Sequence, residues 1–245
     1  MKIALASAPV KNRDIAFNIQ RMIDVIDGCR GKADMVVFGE SVLQGFECLC
    51  WDYETDLNMA AAQNDPRIAQ IRDAAKRNQI AVSFGYIEKV NDALFSSQLV
   101  IDDTGVVIHN FHRVSVGWKE YWQTDEHYCE GKSFDAFCYG GKKFAIGLCG
   151  DLWTDGRPEE MKALNADIVL WPVWCDYGAE EWNNNTKYEY ARQAALCGRD
   201  VFLVNPFCVD PSAEDCATGG SVHFRDGRIV SERAAGLPGI LIADL

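Results

Sequence analysis

Two residues stand where an α/β chain can hold reactive groups. Cys149 follows the apolar run Phe144-Ala145-Ile146-Gly147-Leu148 and is followed at once by Gly150 and Asp151. Such a run reads as a buried strand. Beyond it come a turn at Asp155-Gly156 and a helical pattern opened by Pro158, with Glu159 and Glu160 in its first turn. A cysteine on a bend from strand to helix is held rigidly, close to backbone N–H groups that favour the thiolate. Glu40 is the second residue. It ends the run Met35-Val36-Val37-Phe38-Gly39, and a carboxylate just past the C-terminal end of a strand is where α/β proteins place a working acid or base. The plain alternatives are a small buried thiol and a capping or ion-paired glutamate.

The remaining elements must position these two. Lys2–Ala8 reads as a strand, and Asp14–Cys29 carries Ile15, Ile19, Met22, Ile23 and Ile26 near helical period. Residues 44–64 read as loop. Arg67–Asn78 reads as a helix burying Ile68, Ile71, Ala74 and Ala75, followed by strands at Ile80–Glu88 and Ala93–Asp102. Asp102-Asp103-Thr104-Gly105 turns the chain into Val106-Val107-Ile108, which predicts an antiparallel hairpin. His112–Gly131 shows no period and mixes aromatics with both signs of charge, as site loops do. Ala166–Trp174 and Asp200–Asn205 read as strands, with a helix between them over Thr186–Gly198 that buries Tyr190, Ala191, Ala194 and Ala195. Asp226-Gly227 signals a hairpin, and Gly239–Leu245 a last strand. Gly131-Lys132-Ser133 lacks the upstream glycine of a phosphate-binding loop, since Glu126 stands there. Alternating strands and helices with hairpins mixed in imply an α/β sandwich in one domain over 1–245.

Composition limits the partners. The 245 residues carry a formal net charge of −12, which argues against nucleic acid and anionic membranes. The start, MKIALASAPVKNRD, runs into charge too early for a signal peptide and reads as a strand. The ten cysteines include no C-x-x-C pair, and the four histidines are not at zinc-finger spacing. Reduced thiols in a cytoplasm, with no metal and no cofactor, are expected.

Three stretches resemble the nitrilase superfamily of carbon–nitrogen hydrolases, and together they span nearly the whole chain. VVFGE ending at Glu40 resembles the family's strand-ending glutamate, with Gly39 in place of its usual proline. IGLCGDLW around Cys149 resembles the nucleophile motif. YARQAALCGRDVFLVN, followed by GGSVHF and an Asp-Gly turn, is similar to the family's back half. The resemblance implies a four-layer αββα sandwich of mixed sheets and a Glu–Lys–Cys triad. Cys149 would attack an amide or nitrile carbon, Glu40 would act as general base, and a lysine would stabilise the oxyanion with the N–H of Gly150.

The lysine is where this chain departs. The hairpin register puts Arg113 in the lysine's place, and Lys119 lies six residues on. Arg and Lys are not interchangeable at such a site; both candidates stay open, with Lys119 preferred as catalytic. Arg113 in that register also motivates a rival reading, a non-catalytic binding subunit. The resemblance further implies Glu126 as a supporting glutamate, Trp174 in the wall of a substrate pocket, a small amide or nitrile as substrate, and a homodimer or larger homo-oligomer.

Overall fold

Two six-stranded sheets lie face to face with helices on their outer sides, in a computed structural model that describes all of residues 1–245. The strands are β1 (Lys2–Ser7), β2 (Pro9–Val10), β3 (Met35–Phe38), β4 (Ala81–Val90), β5 (Ala93–Ile101), β6 (Val107–His112) and β7 (Ala136–Tyr139). They continue as β8 (Lys142–Ile146), β9 (Ile168–Pro172), β10 (Asp200–Val204), β11 (Phe207–Cys208), β12 (Ser221–Arg225), β13 (Arg228–Arg233) and β14 (Gly239–Asp244). The first sheet has the order β14-β1-β3-β4-β5-β6, the second β13-β12-β10-β9-β8-β7, and β11 pairs with β2 in a small third sheet. Each large sheet has three parallel central strands, β1, β3 and β4 in one and β8, β9 and β10 in the other, with antiparallel pairings outside them. The α/β sandwich of mixed sheets read from the sequence is therefore the observed fold.

Strand alternation explains the layers. Central parallel strands are covered on both faces, so they read as unbroken apolar runs. Successive side chains point to opposite faces. In β1 and β3, Ile3, Leu5, Met35 and Val37 join a core shared with Phe144, Ile146 and Leu170 of the second sheet. Their neighbours Ala4, Ala6, Val36 and Phe38 meet helices α1 (Ile15–Cys29) and, beyond a short α2 (Tyr53–Met59), α3 (Pro66–Asn78). On the other side, Trp171 of β9 packs against Tyr190. That tyrosine lies on the outer helix layer of the second sheet, which comprises α4 (Arg157–Ala163) and α6 (Lys187–Cys197); a short α5 (Ala179–Glu181) and a π-turn at Trp182–Thr186 lead into α6.

Side-chain caps fix where these helices start. The Asp14 carboxylate accepts from Phe17 N at 3.1 Å to start α1. Asp65 and Pro66 open α3, whose Ile68, Ile71, Ala74 and Ala75 are fully buried as expected.

Some expectations change. Residues 44–64, read as loop, contain a 3₁₀ turn at Phe46–Cys48 as well as α2, because Asp52 caps the latter through Thr55 N. Ala195 is exposed on α6, and Cys197 takes the inward position in its place. Strand β7 lies in a stretch to which the sequence reading assigned no element; its pairing with β8 and the stacking of Phe137 on Phe144 hold it. No helix is long and apolar enough to cross a membrane.

Candidate active site

The C-terminal ends of four strands carry the candidate residues. Glu40 follows β3, Arg113 follows β6, Cys149 follows β8 and Trp174 follows β9. Crevices outside the carboxyl ends of parallel strands are where open α/β sheets bind ligands.

Glu40 is wholly buried on a tight bend where Ser41 has a φ of +50°. Two glycines permit that bend. A Cβ on Gly85 would sit 2.4 Å from Ser41 N, and one on Gly39 would sit 2.4 Å from the Pro206 ring. Gly39, unusual for the resembling motif, is thus matched by a proline that fills the same space from β10's far end. One carboxylate oxygen, Oε1, accepts from Arg113 Nη1 at 2.7 Å and from Ser96 Oγ at 3.2 Å. The other, Oε2, has no hydrogen-bond partner in the chain.

Arg113 is 3% exposed, and its Nε donates to Ser115 Oγ at 2.9 Å. Burial works against its charge, but Glu40, Cys149 and Asp151 outweigh burial and hold the guanidinium more firmly protonated than usual. The same group lies along the nucleophile turn: a Cβ on Gly150 would be 3.0 Å from Arg113 Nη2.

Cys149 starts a 3₁₀ turn, Cys149–Trp153, that the sequence reading did not include; α4 follows from Arg157, with Pro158 in its first turn as expected. Its φ of +43° is a left-handed conformation that costs a non-glycine residue of order 1 kcal/mol. The surroundings over-determine it. The Cys149 carbonyl accepts from Trp171 Nε1 at 2.9 Å, and its Sγ lies 3.6 Å from the Trp174 carbonyl. The neighbouring Cys175 thiol is pushed well above its ordinary pKa, first by its hydrogen bond with Cys149 and then by burial. Cys175 therefore stays a thiol beside the half-buried Cys149.

Asp151 joins the two loops. It is fully buried; Oδ1 accepts from Val114 N at 3.0 Å and Ser115 N at 2.8 Å, while Oδ2 accepts from Leu148 N at 2.9 Å. One carboxylate thus clamps the residues after Arg113 to the residue before Cys149. Burial pushes its pKa up to about 6, against the opposing pull of Arg113 and these N–H groups. The sequence marked Asp151 only as part of a motif; its burial and three amide partners belong to the fold.

Lys119 is placed differently. Its ammonium pairs with Glu130 Oε1 at 2.7 Å, bonds to the Tyr128 carbonyl, and lies 5.9 Å from the Trp118 ring centre. The cation brought to Glu40 is Arg113, and the carboxylate brought to Lys119 is Glu130. Glu126 is exposed on the same loop. Trp174 is 5% exposed, stacks on Phe46 at 5.5 Å, and donates its Nε1 to the Asp215 carbonyl at 2.8 Å.

A cleft of about 570 Å³ lies beside these groups, with Phe46, Trp118, Lys119 and Trp174 in its walls. One of its lining residues, Trp174, meets Cys149 through its carbonyl, and another, Gly117, leaves room for the guanidinium, since a Cβ there would be 3.1 Å from Arg113 Nη2. No three His, Cys, Asp or Glu side chains are grouped as metal ligands, and all ten cysteines are free.

Fold and site together define a class: a four-layer α/β protein with a thiol, a carboxylate and a buried cation gathered at the strand ends. The chain belongs to the carbon–nitrogen hydrolase family, whose model matches residues 2–245. Among solved structures it is similar to an amidase from Nesterenkonia sp., with a TM-score of 0.78 and 18% identity over 100% of this chain and 90% of that one. Among characterised sequences it is similar to a glutamine-dependent NAD(+) synthetase of Acinetobacter baylyi, 23% identical over 171 residues, 69% of this chain and 30% of that protein. It also matches an (R)-stereoselective amidase of a Pseudomonas species, 21% identical over 170 residues, 69% of this chain and 59% of the relative. The matched region thus spans about a third to three-fifths of the length of these two relatives.

Proposed function

We propose that the protein hydrolyses the C–N bond of a small amide through a thioester on Cys149, with Glu40 as general base and Arg113 as the cation. The observation that carries this is the meeting of Cys149, Glu40 and Arg113 at the strand ends, with the Glu40–Arg113 pair at 2.7 Å and both partners buried. The similar Nesterenkonia amidase supports it, since its structures include a complex with butyramide and the covalent addition of the acetamide moiety of fluoroacetamide at the active-site cysteine.

The steps balance on these groups. Glu40 takes the Cys149 proton as Sγ bonds to the amide carbon, and the carbonyl π pair moves to oxygen. The oxyanion meets the Arg113 guanidinium and the Gly150 N–H. Glu40 gives its proton to the nitrogen, the C–N bond breaks, and ammonia leaves a thioester. Water then adds to that carbon while its proton passes to Glu40. The thiolate departs, recovers the proton, and the acid is released. Lys119, bonded to Glu130, is read as a wall of the cleft, and Glu126 as a surface charge.

A panel of amides, nitriles and N-carbamoyl compounds assayed for ammonia tests the reading, with mass spectrometry of the acyl-enzyme. Ammonia release and an adduct on the Cys149 peptide are expected; an adduct confined to another cysteine refutes the assignment. The rival reading, a binding subunit, draws on Arg113 in the lysine register and requires that iodoacetamide label Cys149 no faster than other exposed thiols. A homodimer in a reducing cytoplasm belongs to the same proposal; a monomer by light scattering at micromolar concentration counts against the dimer.

A further inference from the structure

The walls of the cleft beside Cys149 are unequal in charge. Glu47, Glu120, Asp176, Glu214 and Asp215 all line it, and Lys119 is the only cationic side chain among the lining residues. Lys119 is already paired with Glu130, which lies outside that lining. The cleft is therefore strongly negative even for a chain of net charge −12. The crowding is felt locally: Asp215 is pushed up from its ordinary pKa, first by partial loss of solvation and then by Asp176, Glu47, Glu214 and Glu120.

The carboxylates do not quench one another through structure. Glu47 is the exception, for its Oε1 accepts from Glu214 N at 2.7 Å and Asp215 N at 2.6 Å, fixing the two-acid segment against the wall. Asp176, Glu214 and Asp215 are exposed. They lie beside Phe46, Trp51, Trp118 and Trp174, which also line the cleft. Aromatic faces with carboxylates at their edges suit an organic cation, which gains from the ring quadrupole and from the negative potential together. An anionic or purely apolar ligand gains from neither.

A separate observation points to a ligand beyond that lining, where Cys149 Sγ lies 3.6 Å from the carbonyl of the cleft residue Trp174. Glu40 is fully buried, Oε1 is taken by Arg113 and Ser96, and Oε2 has no partner. A buried acceptor left open at the reacting end is suited to the N–H of an amide. One end of the site thus asks for an amide nitrogen, and the outer walls ask for a positive charge.

We infer that the site selects small linear amides that carry an ammonium or guanidinium group at the end remote from the amide. The inference rests on the Cys149 reading for the position of the amide, but its test does not depend on turnover. The Cys149→Ala protein is titrated calorimetrically with three linear amides that share a four-methylene spacer: δ-aminovaleramide (cationic), hexanamide (neutral) and adipamate (anionic). The cationic amide binds at least about tenfold tighter than the neutral one, which binds tighter than the anionic one, a preference consistent with several carboxylates acting at partly screened range. The preference shrinks as salt rises from about 20 mM to about 0.5 M, where the screening length falls severalfold. Replacing Asp176 and Asp215 by Asn in the same protein shrinks it at least about threefold, a loss of about 0.65 kcal/mol of discrimination. Equal or tighter binding of hexanamide or adipamate overturns the inference. Tighter binding of the cationic amide without ammonia release by the wild-type protein upholds it and refutes the hydrolytic reading instead.

Discussion

Replacing Arg113 by Met separates the proposed chemistry from its rivals. The guanidinium is 3% exposed and sits 2.7 Å from a fully buried carboxylate. Removing one partner of such a pair strands the other charge in a poor solvent, at a typical cost of about 3–5 kcal/mol. The Glu40 carboxylate can escape part of that cost by taking a proton, but a protonated Glu40 no longer accepts the thiol proton. Loss of the oxyanion cation adds its own penalty, on the order of 10²–10³ in kcat. Arg113→Met is therefore expected to lower ammonia release at least about 10²-fold and to lower urea stability by no more than about 5 kcal/mol. Arg113→Lys keeps a charge in the same register and should recover most of the rate and stability, although a single ammonium cannot reproduce the contacts to Glu40 and Ser115 together. Steady-state kinetics and denaturation of both variants decide it. Turnover by Arg113→Met within about fivefold of wild type refutes the role of Arg113, because no dry oxyanion site loses its main charge so cheaply.

Four other outcomes are expected. Cys149→Ser should abolish turnover with the fold intact, since a hydroxyl is a far weaker nucleophile than a thiolate; circular dichroism and ammonia assay check it, and activity within tenfold refutes it. Lys119→Met should cost less than about tenfold in kcat, since Glu130 and the Tyr128 carbonyl hold this amine; a loss of about 10²-fold restores Lys119 as the oxyanion cation. Asp151→Asn removes an acceptor from one of three buried amides, which costs about 1–3 kcal/mol and should lower kcat more than it changes KM; unchanged stability and kcat refute the clamp. Burial lowers the pKa of His223, whose Nε2 lies 2.7 Å from Asp200 Oδ1. The unfolded chain then binds a proton more readily than the folded one, so stability present above the unfolded value of about 6.5 is lost as pH falls below it, by up to about 1.4 kcal/mol per pH unit. His223→Gln should flatten that slope in urea titrations between pH 7.5 and 5.5, and parallel curves refute it.

How much was legible in the sequence follows from the range of the forces involved. Strands and helices are local patterns, so the runs ending at Glu40 and Cys149, the helix read over Arg67–Asn78 and the hairpin through Gly105 could be read from apolar spacing and turn residues alone. The two residues proposed to react were legible for the same reason: each stands just past a buried strand. The helix opened by Pro158 was legible as well, since α4 starts at Arg157, but the 3₁₀ turn before it depends on Asp151 reaching Leu148, Val114 and Ser115.

What the pattern could not decide is which distant groups meet. Arg113 and Lys119 are six residues apart on one irregular loop, and either amine or guanidinium could reach a carboxylate nearby. Glu40 and Glu130 divide them: the first pair exists because β3 and β6 run the same way in one sheet and end on the same side of it, the second because residues 118–130 fold back on themselves. The acidic cleft is equally non-local. Its carboxylates come from positions 47, 120, 176, 214 and 215, unremarkable one by one in a chain with 36 acids. The strands bring them to one wall, where their charges add, and that sum is a property of the folded chain alone.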